Sequence, residues 1–276
     1  MTNIHPSALI DRSAVLADDV TVDAFAIIGP DCHIGAGCHI SSHAVLEKNV
    51  RLGERVKVGH HVVLGGDPQD FGYKGERSFV SIGHDTQLRE FVTIHRATGE
   101  DNTTTVGSNC LLMAYVHAGH NVQIGNDAIL ANCVQLAGHV SVGDKAVLGG
   151  IFTAHQHVRI GEMVIIGGFS GTRMDIPPFM KAASCPAVLY GLNLVGLKRN
   201  NVSLASRTAL KQAYKALWLS GQPFREAIET VRKTHAEDPY VMKLVGFFHD
   251  SKRGVIQPEY RAKRSDHPVL DEPVMA

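Results

Sequence analysis

Long apolar runs and paired cysteines are both missing from this 276-residue sequence. No apolar run approaches the roughly 20 residues that a transmembrane helix needs. The opening stretch, MTNIHPSALIDRSA, lacks the basic and then apolar layout of a signal peptide. The five cysteines are irregularly spaced and form no CxxC pair, which argues against a disulfide framework and against a zinc ribbon. We therefore expect a cytoplasmic protein with no transmembrane segment.

The formal net charge is zero, although the two parts of the sequence carry net charges of opposite sign. Residues 1–180 contain 12 Lys and Arg against 18 Asp and Glu, whereas residues 181–276 contain 15 against 9. A basic C-terminal part suits an acidic partner or phosphate groups, and it equally suits a solvated helix surface. Charge alone does not decide between a binding surface and a solvated one.

What the sequence does contain is an aliphatic residue at every sixth position. The repeat runs over eleven positions from Ile4 to Leu64, resumes at Ile82, and after a second break continues from Val106 to Ile166. A small or β-branched residue stands two positions before the repeated residue, and glycine often follows it. A period of six fits neither a 3.6-residue helix nor a hairpin meander, but it fits a short strand followed by a tight corner.

Three such strands close a triangular coil of 18 residues, and successive coils stack at the ~4.8 Å spacing of a sheet. The repeat thus predicts a mainly β protein, with a parallel β-helix of about nine coils over residues 1–180. Both breaks, residues 65–79 and 97–104, are predicted to be loops that leave one corner of the prism, where binding groups concentrate. Cys32 and Cys38 fall on inward positions, as does Cys110, and these thiols are predicted to be core residues.

Residues 18 positions apart are predicted to stack in columns. His120 then lies below Gly138 and Gln156, while Asn121 lies below His139 in the neighbouring column. These polar columns share their corner with the two loops, which lie one or two coils below. The columns leave open whether the histidines bind a metal, transfer a proton or merely occupy a bend.

The repeat decays after Ile166, and Pro177 with Pro178 ends it. A C-terminal α-helical domain is predicted for residues 186–257, because helical apolar spacing follows Ser or Pro at the helix starts. Its helices are predicted at 203–219, 224–235 and 239–252. The tail, residues 258–276, is predicted to be loosely ordered.

The motifs occur in an order that resembles a known family. They are TIHR (93–96), LLMAYVHAGHNVQIGN (111–126), LAGHVSV (136–142), AHQH (154–157), GGFSG (167–171), DIPPF (175–179) and GLKRN (196–200). Together they resemble the UDP-N-acetylglucosamine O-acyltransferases, which begin lipid A biosynthesis, over nearly the whole chain up to about residue 255. The resemblance implies a left-handed β-helix, although parallel crossovers usually prefer the right-handed form.

The resemblance also implies a reaction. A (R)-3-hydroxyacyl group is transferred from the phosphopantetheine of acyl carrier protein to the glucosamine 3-hydroxyl of UDP-N-acetylglucosamine. No cofactor of the chain's own, no metal and no nucleic acid partner are implied. The chemistry needs a base for the hydroxyl and a donor for the oxyanion on the thioester carbonyl. In the family these roles match His120 and the backbone N–H of Gly138, which the repeat independently stacks one coil apart.

The family's substrate contacts match eight further positions. They are Asp70, His117, His139, His155, Gln156, Gly168, Asn193 and Arg199. The planar donor fork of Arg199 suits a phosphate group, and Gly168 matches a position that leaves room for the acyl chain. Family members are homotrimers with sites between subunits, so a homotrimer is implied, with the basic helices facing acyl carrier protein.

Several positions depart from the family pattern. Asn121 replaces the usual Asp beside the base, and Gly72 replaces a lysine, although Lys74 stands nearby. Val195 replaces an acidic residue near the nucleotide, and Asn200 a second basic one. Ser184, Cys185 and Pro186 replace the family's residues after the two prolines. These departures leave room for a different acceptor, such as a 3-amino sugar nucleotide.

The hexad repeat is compatible with three further kinds of protein. A zinc-dependent γ-type carbonic anhydrase also combines such hexads with histidines between subunits. A noncatalytic scaffold would use the β-helix as a spacer. The N-acyltransferase of the same pathway is similar too, but it carries an added N-terminal domain, whereas hexads begin here at Ile4.

Overall fold

The computed structural model describes residues 2–259 as a prism of short strands followed by four α-helices. Three sheets form the sides of the prism, and nearly all neighbouring strands are parallel. The first sheet contains β1 (Asn3–Ile4), β4 (Thr21–Val22), β7 (His39–Ile40), β10 (Lys57–Val58), β13 (Gln87–Leu88), β16 (Leu111–Leu112), β19 (Ile129–Leu130), β22 (Val147–Leu148), β25 (Ile165–Ile166), β27 (Met180–Ala183) and β28 (Val188–Leu192).

The other two sides of the prism consist only of parallel strands. The second sheet contains β2 (Leu9–Ile10), β5 (Ile27–Ile28), β8 (Val45–Leu46), β11 (Val63–Gly66), β14 (Thr93–His95), β17 (His117–Ala118), β20 (Gln135–Leu136), β23 (Thr153–Ala154) and β26 (Gly171–Thr172). The third contains β3 (Val15–Leu16), β6 (His33–Ile34), β9 (Val50–Leu52), β12 (Phe79–Ile82), β15 (Thr103–Val106), β18 (Gln123–Ile124), β21 (Ser141–Val142) and β24 (Arg159–Ile160). The predicted parallel β-helix of stacked coils is thereby confirmed.

Two rows of inward side chains fill each coil. Leu64, on a repeat position, and Val62, two positions earlier, are both fully buried, because residues i and i−2 of a strand point the same way. Cys32, Cys38 and Cys110 are buried in these rows as predicted, and burial raises the pKa of each thiol.

The corners of the prism require two different backbone properties. The third residue after most repeat positions has φ near +60°, and it is usually not glycine; Asn121, for example, has φ 60. The glycine directly after a repeat position is instead required by crowding between coils. A Cβ on Gly29 would lie 1.7 Å from the carbonyl oxygen of Glu47 one coil above.

Both long loops leave the prism at the corner between the second and third sheets. The first loop connects β11 to β12, the second connects β14 to β15, and His120 follows β17 at this same corner. The second loop is therefore one coil below His120 and the first loop two coils below it, as the 18-residue period predicts. We call this edge of the prism the histidine corner.

The C-terminal part begins with a hairpin that the repeat did not predict. Strands β27 and β28 pair antiparallel, and the short helix α1 (Leu194–Arg199) follows them directly. Helix α2 (Leu204–Tyr214) starts at the predicted cap Ser203 and continues as a π-helical turn, Lys215–Leu219. Helices α3 (Phe224–Thr234) and α4 (Pro239–His249) end close to the predicted positions.

Helix packing in this part centres on Trp218, whose side chain is 1% exposed. Its ring contacts Phe224 and Phe248, with centroids 6.0 and 5.9 Å away. No helix between residues 2 and 259 is long and apolar enough to cross a membrane. The division into residues 1–180 and 186–257 stays a prediction, and residues 260–276 of the predicted tail lie outside the described residues.

Candidate functional site

His120 occupies the histidine corner with only 6% of its surface exposed. Its Nδ1 lies 2.9 Å from the side-chain oxygen of Asn121. That amide is oriented unambiguously, since the backbone N–H of Thr98 donates to its oxygen at 3.0 Å and its nitrogen donates to the Thr98 carbonyl at 3.1 Å. An amide oxygen can only accept, so Nδ1 of His120 carries the proton. In the neutral ring Nε2 is therefore the free, basic nitrogen.

Nε2 of His120 faces Asp70 of the first loop. The distance from Nε2 to Oδ2 of Asp70 is 3.8 Å, longer than a direct hydrogen bond. The other carboxylate oxygen accepts a hydrogen bond from the Gly72 N–H at 2.8 Å, which orients the group. The carboxylate can therefore stabilise an imidazolium while leaving a space between the two side chains.

Gly138 lies directly over the His120 ring, as the predicted column requires. A Cβ at Gly138 would come 2.3 Å from Nε2 and 2.5 Å from Cε1 of His120. Only glycine fits there without moving the ring. Within residues 2–259 no protein group accepts a hydrogen bond from the Gly138 N–H. The backbone of Gly138, with its N–H unused, thus stands beside the histidine ring.

Neutral histidines surround the His120 ring on the coil below and on its own coil. His117 on β17 hydrogen-bonds Thr93 through Nδ1 at 2.7 Å, and its ring meets that of His95 edge-on at 4.9 Å. Burial, and next the charge of His95, lower the pKa of His117 to about 4. Burial also lowers the pKa of His95, followed by the charges of His120 and Arg96. Both rings offer hydrogen bonds without carrying charge at neutral pH.

His139 covers the open side of the His120 column. Its ring lies edge-on to His120 at 5.1 Å and stacks on His157 at 4.6 Å. Burial lowers the pKa of His139, and the charges of His157 and His120 lower it further. The predicted second column is therefore an imidazole stack beside the first.

A buried arginine that was not among the predicted site residues holds the first loop. Arg96 is 0% exposed and donates to the Gly65 carbonyl, to the Asp67 carboxylate and, at 3.0 Å, to the Tyr73 hydroxyl. These bonds fix both ends of the loop segment that carries Asp70. The signal was present in TIHR, where the arginine directly follows a strand.

Two further predicted residues lie above Gly138 on the same corner. His155 and Gln156 are exposed, and Arg253 from the segment after α4 reaches them. Its guanidinium donates to the Gln156 carbonyl at 3.0 and 2.9 Å and also contacts Nδ1 of His155. No sequence pattern indicated this contact, because about 97 residues separate the partners.

Three predicted residues lie away from the histidine corner of the single chain. Gly168 lies on the corner between the first and second sheets. Asn193 is 7% exposed, accepts from Gly196 N–H at 3.0 Å as the cap of α1, and donates to the Met163 carbonyl at 2.8 Å. Arg199 is exposed at the end of α1. The chain by itself brings together seven of the ten predicted residues.

Between residues 2 and 259 no three His, Cys, Asp or Glu side chains are grouped so that they could hold one metal ion. In the histidine cluster, the Nδ1 atoms of His117 and His120 are engaged with Thr93 and Asn121.

Comparisons with known proteins agree on one family. A family model described as UDP-N-acetylglucosamine O-acyltransferase, domain 2, matches residues 175–256, and a bacterial transferase hexapeptide model matches residues 13–48, 31–66 and 103–138. A protein of Syntrophobacter fumaroxidans named acyl-[acyl-carrier-protein]–UDP-N-acetylglucosamine O-acyltransferase is 45% identical over 92% of this chain and 99% of its own. Its namesake in Sulfurihydrogenibium is 55% identical over 92% and 94%.

Solved structures give the same result. The UDP-N-acetylglucosamine acyltransferase of Francisella novicida superposes with a TM-score of 0.91 at 31% identity, covering 98% of this chain and 99% of that one. The acyltransferase of Campylobacter jejuni superposes with a TM-score of 0.87 at 37% identity, covering 92% and 99%. These matches favour an acyltransferase over a γ-type carbonic anhydrase.

Proposed function

This chain belongs to the UDP-N-acetylglucosamine O-acyltransferase family, and we propose that it transfers a (R)-3-hydroxyacyl group from acyl carrier protein to the glucosamine 3-hydroxyl of UDP-N-acetylglucosamine. This reaction is the first step of lipid A biosynthesis. The observation that carries the proposal is the free Nε2 of a buried His120, directly beneath the backbone of Gly138 and beside Asp70.

His120 acts as the general base. The 3-hydroxyl oxygen attacks the thioester carbonyl while its proton passes to Nε2. The resulting imidazolium is stabilised by the Asp70 carboxylate, whose Oδ2 lies 3.8 Å away. When the tetrahedral intermediate collapses, the C–S bond breaks and the thiol of phosphopantetheine takes the proton from Nε2. His120 is then neutral again, so the cycle needs no cofactor belonging to the chain.

Gly138 supplies the oxyanion donor. Negative charge develops on the thioester oxygen, and a fixed backbone N–H stabilises that charge without having to reorganise. The backbone of Gly138 is adjacent to Nε2, because a Cβ on this residue would come 2.3 Å from it. Base and donor can thus contact one reacting centre.

The neutral rings around His120 suit an uncharged acceptor sugar. His117 keeps its low pKa, about 4, through burial, so it binds hydroxyl groups as a neutral donor and acceptor. We assign His117, His139, His155 and Gln156 to substrate contact, and Asn193 and Arg199 to the nucleotide side. Asn193 would act there chiefly by capping α1, which carries Arg199.

A homotrimer completes the site in this proposal. Gly168 lies on the corner between the first and second sheets, which we call the ladder corner. Stacked rings with centroids 4.9–5.2 Å apart run along it. They belong to Phe25, His43, His61, Phe91 and Tyr115, and the column continues to Phe169. Phe169 is 76% exposed and Tyr115 54%, and large exposed apolar side chains grouped on one edge are typical of an interface. A neighbouring subunit would cover the ladder and bring Gly168 to the acyl chain.

The donor is proposed to be acyl carrier protein, an acidic partner for the basic C-terminal part, where 15 Lys and Arg stand against 9 Asp and Glu. We also propose that the enzyme is cytoplasmic.

One assay tests the function. Purified protein is incubated with UDP-N-acetylglucosamine and 3-hydroxyacyl carrier proteins of several lengths, and products are identified by mass. A gain of one 3-hydroxyacyl group by the sugar nucleotide is expected. The His120→Ala variant should form this product about 10²- to 10⁴-fold more slowly, while an alanine variant of the exposed His249 at the end of α4 should keep activity. Acylation only of a 3-amino sugar nucleotide would assign the enzyme to the alternative acceptor, and no acylation of either would reject the proposal.

A further inference from the structure

We propose that Asn121 is a positioning residue that uses both ends of its amide, one to select the reactive tautomer of His120 and the other to hold the second loop against the catalytic corner. The inference concerns the base of the proposed function and rests on it for its catalytic consequence. Its structural part, the tautomer and the loop contact, stands on the geometry alone.

The oxygen of the Asn121 amide accepts three hydrogen bonds. They come from the Thr98 N–H at 3.0 Å, the Thr98 hydroxyl at 2.9 Å and Nδ1 of His120 at 2.9 Å. The first two bonds fix the oxygen in place. The third then requires a proton on Nδ1, because two acceptors cannot share a hydrogen bond without one. The base is thereby presented with Nε2 free.

The nitrogen of the same amide donates to the Thr98 carbonyl at 3.1 Å. Thr98 is therefore bound through both its N–H and its C=O, an arrangement that only a side chain with one donor and one acceptor satisfies. An aspartate offers acceptors alone. Its second oxygen would face the Thr98 carbonyl at about the same distance, and two acceptors repel each other there.

The backbone of Asn121 is fixed as well. Its φ is +60°, a conformation in which Asn is enriched several-fold over most residues. Its N–H donates to the hydroxyl of Thr104, a fully buried residue of β15 just after the second loop. The side chain thus has little freedom to seek other partners.

The contact reaches the first loop through the second. Gly99, next to Thr98, donates its N–H to Glu76 at 2.8 Å, and Glu76 belongs to the loop that carries Asp70. One amide therefore connects the Nδ1 side of His120 with the loops that supply the carboxylate on its Nε2 side.

Nuclear magnetic resonance of the imidazole nitrogens tests the tautomer without any substrate. In the free wild-type enzyme at neutral pH, Nδ1 of His120 should give the signal of a protonated nitrogen and Nε2 that of an unprotonated one. Asn121→Ala should abolish this preference. It should lower kcat/KM by at least about 10-fold, but by no more than the 10²- to 10⁴-fold that a general base contributes.

Asn121→Asp tests the roles of the amide oxygen and the amide nitrogen separately. It keeps an acceptor for Nδ1, so the tautomer should persist, and its charge should move the acidic limb of the kcat/KM profile to higher pH. Loss of the bond to the Thr98 carbonyl should raise KM for the sugar nucleotide. The groups facing His120 that also titrate are Asp70 from the first loop, His95 below and His139 above.

Asn109 provides the matched control, since it is exposed and has φ +57 on another corner. Asn109→Ala and Asn109→Asp should leave the tautomer, the pH profile and KM unchanged. A wild-type tautomer signal in Asn121→Ala would overturn the inference whatever the activity. If Asn121→Ala loses the tautomer signal and the wild-type protein acylates no sugar nucleotide, the inference stands and the proposed function is rejected.

Discussion

The histidine corner and the ladder corner have the same backbone conformation, but their side chains differ in polarity and exposure. At both, the third residue after the repeat position has φ near +60°, as at Asn121 and His139 on one and Phe91 and Tyr115 on the other. His120, beside Asn121, is 6% exposed in a polar network, whereas Phe91 and Tyr115 are 42% and 54% exposed. The coil therefore offers identical positions along each edge, and only the side chains decide whether an edge becomes a reaction site or an apolar surface.

The ladder corner also places bulky residues where they are conformationally unfavourable. A positive φ is rare for aromatic and β-branched side chains, yet Phe25, Ile151 and Phe169 have φ values of 62, 60 and 53. Backbone strain of this kind persists where surrounding structure or function maintains it. The strain supports the proposal that a neighbouring subunit covers this edge.

The largest expected effect comes from breaking the histidine corner. His120→Ala should lower kcat by about 10²- to 10⁴-fold, the usual contribution of a general base, because no other nitrogen replaces Nε2 beneath Gly138. Binding of UDP-N-acetylglucosamine and the melting temperature should change little. Calorimetric titration and a thermal melt measure both. Full activity in this variant would mean that the corner is not a proton-transfer site.

Breaking the ladder corner should affect assembly first and activity second. In Phe91→Asp with Tyr115→Asp, two charges on neighbouring coils would disfavour burial against another subunit. Light scattering should then show a monomer near 29.8 kDa, with activity reduced because Gly168 no longer reaches a neighbouring site.

The matched control for this double change lies on the third corner, where Asp85 and Asn109 are exposed at the equivalent positions. Asn109→Asp should remain trimeric. A ladder variant that stays trimeric and fully active, or a wild-type monomer that is active, would contradict the trimer proposal.

The sequence predicted only part of the histidine corner and of the fold. The 18-residue period placed His120 beneath Gly138 and both loops on one edge, because strand stacking repeats locally. It did not predict the Arg96 clamp, since the loop residues that Arg96 contacts are irregular. Arg253 was missed because no period relates it to His155. The hairpin β27–β28 was missed because it follows the point where the repeat decays.

A smaller expected effect is the pH dependence of stability, which differs between the partly buried His117 and the exposed histidines of the ladder corner. The pKa of His117 is lowered to about 4 by burial, below the ordinary value of about 6.5. The unfolded chain therefore binds more protons between these two pH values. The associated stability is fully present above pH 6.5 and is lost as pH falls toward 4, by roughly 3 kcal/mol.

His117→Gln should accordingly lose less stability than the wild type between pH 7 and pH 5. Urea unfolding at the two pH values measures this difference, and kcat/KM at pH 7 should fall through weaker substrate contact. His60→Gln, at an exposed position of the ladder corner, should keep the wild-type acid sensitivity. An unchanged pH dependence in His117→Gln would contradict the neutral, partly buried state of that ring.

The smallest expected effect concerns a surface that belongs to neither corner. Lys211 and Lys215 are exposed on α2 and at its end, within the basic part of the chain. Lys211→Glu with Lys215→Glu should raise KM for the acyl carrier protein, because reversed charge slows encounter with an acidic partner. The rise should be larger at low salt, since 0.1 M salt screens exposed charges beyond about 10 Å. KM for the sugar nucleotide should stay unchanged, because both corners remain intact. Equal KM values for wild type and variant at low salt would place the carrier protein elsewhere on the molecule.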